Sequence, residues 1–375
     1  MKNQEIQKIL FDLIRFKTET KKQSEVKRAI GYIGKFFAGT SYAVKRFAKH
    51  GVHSLLVYPK GTSWRNPEVL LNGHVDVVPA SEAGQYAPFR RGHKVFGRGS
   101  SDMKGGLSAI IGALLELDAK RVRHGAAFLV NGDEEVGGAH GAGYVVNDIG
   151  IRPKFVVVAD NPRHEGFVVT TKEKGGIWLE LTARGRAAHA AYPWLGENAL
   201  EKLIHAVGKI QRLVGKVRPD AWKTTVNLSG IHTDGATHNM VPAGARAMLD
   251  LRFTEEFAKS ADEAYRKVRR AVPGVEVRAL VKVAPLRNNH RHAHIRNFRS
   301  LFSRTLGRKI PFGYGHGASD ARYFGARGIP SILVGTVGAH WHSRGEWVDF
   351  RTVLALKDVV KAYIVKHHVH REVNS

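Results

Sequence analysis

The chain has 375 residues, 43% hydrophobic and 25% charged, enough for two domains with substantial cores. It contains no cysteine, which excludes disulfides and thiolate metal ligands, and no apolar run of about 18 residues that could span a bilayer. Lys plus Arg number 59 against 33 Asp plus Glu, a formal charge of +26, but the bases are spread through every segment and come without an aromatic-rich nucleic-acid signature.

That distribution reads first as a general compositional habit and second as attraction for an anionic small substrate or acidic partner; nucleic acid and membrane are not expected partners. The first stretch places Ile6, Ile9, Leu10, Leu13 and Ile14 at helical spacing, with charges between them. It reads as an amphipathic helix and not a signal peptide, which suggests a cytoplasmic protein. A second such helix carries Val26, Ala29, Ile30, Ile33, Phe36 and Phe37.

Strands are expected at 42–47, 52–57 and 69–71, and a helix over 104–117. Wholly apolar strands follow at 126–130, 155–159 and 329–334, and a last helix covers 350–367. Apolar runs without alternation, separated by helices, indicate a mainly parallel sheet flanked by helices. Between them lies a segment of different character: alternating strands at 177–183, 224–231, 246–253 and 275–283, with helices at 197–214 and 262–271. The order β-α-β-β-α-β is that of a ferredoxin-like α+β unit. The expected boundaries are residues 1–172 and 285–375 for the α/β domain and 173–284 for the insertion.

The chemistry-bearing residues sit just beyond the carboxyl ends of the buried strands. His74 and Asp76 follow the first run, across what reads as a turn, and Asp102 lies at the mouth of the next helix. Alone, these three suit a metal site and ordinary turn and capping chemistry equally. Three further strands add Asp133, Glu134 and Glu135, then Asp160, then His340 and His342. Open α/β sheets bind ligands at that rim. The set suits two zinc ions sharing one carboxylate, and such a pair can activate water without a serine or cysteine nucleophile. Consistently, the sequence has no GxSxG elbow, no P-loop and no HExxH.

The motifs GHVDVVP, GRGSSDMKGG, DEEVGG, GRAAHAAYPWLGENA and HSRGEWV, spread over nearly the whole chain, resemble those of a dinuclear-zinc amidohydrolase and peptidase family. That family includes acetylornithine deacetylase, succinyl-diaminopimelate desuccinylase, aminoacylase and glutamate carboxypeptidase. The resemblance implies a zinc-exopeptidase-like catalytic domain, an inserted dimerisation domain and a homodimer. It implies two Zn2+, with Co2+ or Mn2+ as substitutes: His74 on one ion, His342 on the other, Asp102 between them, and Glu135 and Asp160 completing one shell each. Glu134 is then the general base, Asp76 orients His74, and His189 reaches into a neighbouring subunit's site to stabilise the oxyanion. Arg252 and Asn239 match positions gripping the substrate's carboxylate, and Ser319 matches one that touches substrate.

Other readings stay open beside these. Asp102 could cap its helix, Asp160 could be a turn aspartate before Pro162, and His74 an incidental loop histidine. His189 and Arg252 could be plain surface groups, and Ser319-Asp320 also suits a helix cap. His340 reads as a pocket or surface residue. His290, His292 and His294 alternate in what reads as one loop, with no acidic partners alongside.

The family likeness implies cleavage of an amide bond in a small carboxylate-bearing substrate, an N-acyl amino acid or small peptide. A second reading is deacylation of an amino acid carried on an acidic carrier protein; a third is a non-catalytic protein that binds through its basic surface. Asp160, where desuccinylase-like members show glutamate, and the stretch TTKEKGGIWLEL, which lacks their paired arginines, point away from a succinyl group.

Overall fold

The computed structural model describes residues 1–235 and 237–367. In chain order, helices α1 (Asn3–Arg15) and α2 (Gln23–Lys35) lead into strands β1 (Tyr42–Lys49), β2 (Val52–Pro59) and β3 (Val69–His74). Then come α3 (Gly105–Ala119), β4 (Ala126–Asn131) and β5 (Val156–Val158), followed by β6 (Gly175–Arg184), α4 (Ala199–Val214), β7 (Thr225–Thr233), β8 (Gly244–Phe253), α5 (Ala261–Ala271) and β9 (Glu276–Val283). Helix α6 (Ala293–Thr305), β10 (Ser331–Leu333) and α7 (Phe350–His367) close the series.

The chain divides into two units: residues 1–171, 287–313 and 319–375, and residues 172–286 with 314–318. The short segment Tyr314–Ala318 joins the second unit, although the linear reading leaves it in the first. Six strands of the nine-stranded main sheet run in the order β1-β2-β4-β3-β5-β10. The four strands β4, β3, β5 and β10 are mutually parallel, while β1 and β2 extend the sheet antiparallel. The central strands are buried along their length because helices cover the faces. Helix α1 buries the five apolar residues of its stripe, Ile6, Ile9, Leu10, Leu13 and Ile14. Helix α3 is apolar nearly all round, as a helix enclosed on every side must be.

Two expectations about local structure are corrected. No turn separates the apolar run from His74: β3 continues in parallel register with β4 through Asn72, Gly73 and His74. Gly73 is needed inside the strand because a Cβ there would lie 2.3 Å from Met103 Cε. His290, His292 and His294 do not share one loop either. His294 lies in the first turn of α6, with its ring stacked on Phe155 at 5.4 Å. The apolar stripe Ile295, Phe298, Leu301 and Phe302 is what makes that helix.

In the second unit the sheet order is β7-β8-β6-β9, all antiparallel. Helices α4 and α5 pack their apolar stripes, Leu203, Val207 and Ile210 with Ala264 and Val268, against Ile177, Leu179 and Leu181 of β6. With its β-α-β-β-α-β order this is the ferredoxin-like arrangement.

One close approach positions the site. A Cβ on Gly106 would stand 2.2 Å from the carbonyl oxygen of Ala159, so only glycine lets the first turn of α3 meet the end of β5. Gly106→Ala is expected to destabilise the protein by about 1–3 kcal/mol through overpacking, read as a lowered Tm. An unchanged Tm would show that the contact is not tight.

Candidate metal centre

Three parallel strands and two loops bring the sequence-selected residues of the first unit together. His74 is the last residue of β3, and its imidazole is 1% exposed. Its Nδ1 lies 3.0 Å from the carbonyl oxygen of Asp76. That contact makes Nδ1 the protonated nitrogen and leaves a lone pair on Nε2. Nε2 is buried with no hydrogen-bond partner and lies 3.3 Å from Asp102 Oδ1. His342 meets the same carboxylate from the other side, its Nε2 being 3.1 Å from both Asp102 Oδ2 and Glu135 Oε2.

Two groups of ligand atoms result: His74, Asp102 and Asp160, and Asp102, Glu135 and His342, each with all atoms within 4.8 Å of one another. Asp102 belongs to both. It does not cap α3, which is preceded by Lys104. The Asp102–Met103 peptide is cis. Glu134 belongs to neither group, although its Oε2 lies 4.0 Å from His74 Nε2.

Asp76 does more than face His74. Its Oδ1 accepts the N–H of Glu134 at 3.2 Å, and its Oδ2 accepts the N–H of Glu135 at 3.2 Å and the hydroxyl of Thr20 at 2.7 Å. The buried Asp76 therefore holds the imidazole through its carbonyl and the loop of the two glutamates through its carboxylate. The His342 loop is held differently. His340 and His342 both adopt φ of 61°, an uncommon conformation for residues with a side chain. Ser343 N–H bonds the His340 carbonyl at 3.0 Å, and Gln85 Nε2 donates to the Ser343 carbonyl at 2.9 Å.

The electrostatics follow from crowding carboxylates out of water. Burial drives Asp160 up to about 7, with the charge of Asp102 adding to it. Burial likewise pushes Glu134 well above the usual range, reinforced by Asp160, Asp320 and Glu135 and partly offset by His74. At Asp102 burial acts upward too, but His342 and His74 outweigh it and hold the carboxyl low. Contacts with Asp102 and Glu135 raise His342 to about 10. Burial opposes charging of His74, but Asp102, Asp76 and Glu134 raise it nonetheless. These carboxylates thus draw positive charge toward them. The outward Nε2 of His74, the shared carboxylate and an all-N/O donor set fit a divalent metal ion.

The other sequence-selected residues are placed as follows. Ser319 is buried, with its hydroxyl accepting the N–H of Ala321 at 3.2 Å, a local cap. Asp320 beside it accepts Asn131 Nδ2 at 2.9 Å, and burial takes it up to about 7. In the second unit, His189 is exposed and pairs in a short ladder with Met240, next to Asn239, whose carbonyl accepts the Ala190 N–H at 2.8 Å. The Arg252 guanidinium is engaged by Asp250, Nε to Oδ1 at 2.8 Å and Nη2 to Oδ2 at 3.0 Å. Sequence reasoning missed Thr20, Asn131 and Asp320 as supports. It also gave no role to Glu346.

Fold and site together define a metal-dependent hydrolase of the α/β exopeptidase type. Residues 70–366 match the model of peptidase family M20/M25/M40, and the chain belongs to that family. It is 27% identical over 317 residues to a succinyl-diaminopimelate desuccinylase of Gluconacetobacter diazotrophicus, covering 80% of each chain. It is 34% identical over 232 residues to a probable carboxypeptidase of Aspergillus terreus, covering 58% of this chain and 51% of that one. Among solved structures, a tripeptidase from Staphylococcus aureus shares the fold with a TM-score of 0.80 at 20% identity, over 97% of this chain and 98% of that one. A metallo-carboxypeptidase from Sulfolobus solfataricus does so with a TM-score of 0.77 at 14% identity, over 96% and 98%.

Asp76→Asn replaces one acceptor oxygen with a donor opposite backbone N–H groups. It is expected to weaken metal binding on the order of 10–100-fold, measured by competition with a chelator. Unaltered affinity would mean that Asp76 does not govern the ligands.

Proposed function

We propose that this hydrolase cleaves the amide bond of an N-acyl amino acid or small peptide bearing a free carboxylate, with two divalent ions, zinc by preference, held around Asp102. The observation that carries the reading is the division of labour among the carboxylates. Asp102, Glu135 and Asp160 fall into the two ligand groups, while Glu134, 4.0 Å from His74 Nε2, belongs to neither.

Bound there, the ions supply Lewis acidity, which lowers the pKa of a water and polarises the scissile carbonyl. The protein's residues do the rest. Glu134, the carboxylate outside both ligand groups, accepts a proton from the attacking water and delivers it to the leaving nitrogen. Asp76 keeps the His74 tautomer and the backbone of Glu134 in place. His189 is proposed to act at the site of a second copy. Support for a homodimer comes from β7, an edge strand of its sheet with Leu228 and Ile231 exposed, and from Ile204, 54% exposed on α4.

Curated relatives named desuccinylase support an acyl amino acid, while Asp160 points to a group other than succinyl. Arg252 is paired with Asp250, so a substrate carboxylate that binds it must share the guanidinium with that partner. Among the described residues no helix is long and apolar enough to cross a membrane; a cytoplasmic setting remains part of the proposal. The ligand groups and Glu134 are all present, which favours catalysis over a non-catalytic binding role.

Glu134→Gln is expected to lower kcat by about 10²–10⁴-fold with metal content unchanged. Loss of the metal instead would assign Glu134 a ligand's role. A panel of N-acetyl, N-succinyl and dipeptide substrates is expected to show kcat/KM highest outside the succinyl series, and a preference for N-succinyl substrates would overturn the weight given to Asp160.

Metal uptake is also expected to release protons, because a ligating imidazole must be neutral and His342 sits at about 10 before an ion binds. Affinity should therefore fall as pH drops through 7, where Asp160 also gains its proton. Titration calorimetry in buffers of different ionisation enthalpy reads this, and pH-independent binding would contradict the assigned ligands.

A further inference from the structure

We infer that Glu346 is the positioning residue that locks the Asp102 loop to the His342 loop, setting the geometry of the shared carboxylate; this rests on the metal-centre reading above. Glu346 is 2% exposed and both its oxygens are fully used. Oε2 accepts Arg98 Nη1 and the N–H of Gly99, each at 2.8 Å. Oε1 accepts the N–H of Ser101 at 3.1 Å, the Ser101 hydroxyl at 3.3 Å and the N–H of Asp102 itself at 3.2 Å.

The residue therefore gathers the backbone that precedes Asp102 around one buried charge, and Arg98 compensates that charge inside the same pocket. Hydrogen bonds to an ionised acceptor in a dry setting are among the stronger ones a protein makes. Glu346 is also placed firmly. Its carbonyl accepts Gly97 N–H at 3.0 Å, and Trp347–Asp349 pairs antiparallel with Lys94–Phe96, the strand that leads into the Asp102 loop. His342 lies four residues upstream on the same stretch of chain. One carboxylate thus couples a ligand unique to one ion with the ligand common to both.

The chemistry of the pocket predicts what an isosteric change does. Glutamine keeps the shape but turns one oxygen into an NH2 that must face N–H donors. Whichever way it points, at least two acceptor contacts become donor–donor contacts, those of Arg98 and Gly99 or those of Ser101 and Asp102, and the loop that carries Asp102 loses part of its hold. Because Asp102 serves both ligand groups, both ions should be affected.

The test titrates metal-free wild type and Glu346→Gln with Co2+, following its visible absorption against a competing chelator, with the Tm of the metal-free proteins measured in parallel. The expected result is binding weakened about 10–100-fold for both ions, with altered Co2+ bands. A lowered Tm with affinity within about twofold of wild type would make Glu346 a purely structural residue and overturn the inference. Lys357→Met serves as the control: it breaks the buried pair with Glu116 at 2.5 Å, near the other end of α3, and should lower Tm while leaving Co2+ affinity unchanged. Should Glu346→Gln not fold, Ser101→Ala takes its place, with a several-fold loss of affinity expected and no loss overturning the inference. Wild type that binds no Co2+ would instead sink the metal-centre reading.

Discussion

Asp102 sits between two imidazoles, with one oxygen 3.3 Å from His74 Nε2 and the other 3.1 Å from His342 Nε2. A carboxylate largely withdrawn from water is stabilised when positive charge meets it on both sides. Much of the surrounding structure serves that requirement. The parallel strands β3, β4 and β5 end at one level, which brings His74, the Glu134–Glu135 loop and Asp160 to one rim. Gly106 lets α3 close on the end of β5, and Glu346 gathers the backbone before Asp102. Asp76 ties the imidazole on one side to the two glutamates on the other.

The crowding has a chemical consequence. Asp160, Glu134 and Glu135 are all pushed toward their neutral forms, while the two histidines are pulled toward their charged forms. The contrast with the rest of the molecule is marked: a chain of formal charge +26 concentrates acidic groups in one pocket. A field of that sign attracts anions toward the protein, while the pocket gathers donors suited to cations.

Much of this was legible in the sequence because apolar periodicity reports directly on buried faces. The stripe of α1 packs residue for residue as spaced, and the apolar runs at 126–130 and 155–159 are central parallel strands. The strand-end rule also located the acidic and histidine residues, since buried parallel strands have to deliver their loops to one edge. What stayed hidden depends on contacts that spacing does not encode. The continuation of β3 through Gly73 follows from Met103 filling the space above it. The hold of Glu346 on Asp102 joins residues 244 positions apart. The local partners of Ser319 and Arg252, Ala321 N–H and the Asp250 carboxylate, are likewise contacts that spacing does not encode.

The account turns on one carboxylate serving two ions, and the number of ions retained by Asp102→Asn tests that directly. Elemental analysis of wild type and variant, loaded and desalted in parallel, should find two divalent ions per chain in the first and a loss of both in the second. A variant that keeps one ion with native affinity would show that the two sites are independent and that Asp102 does not join them.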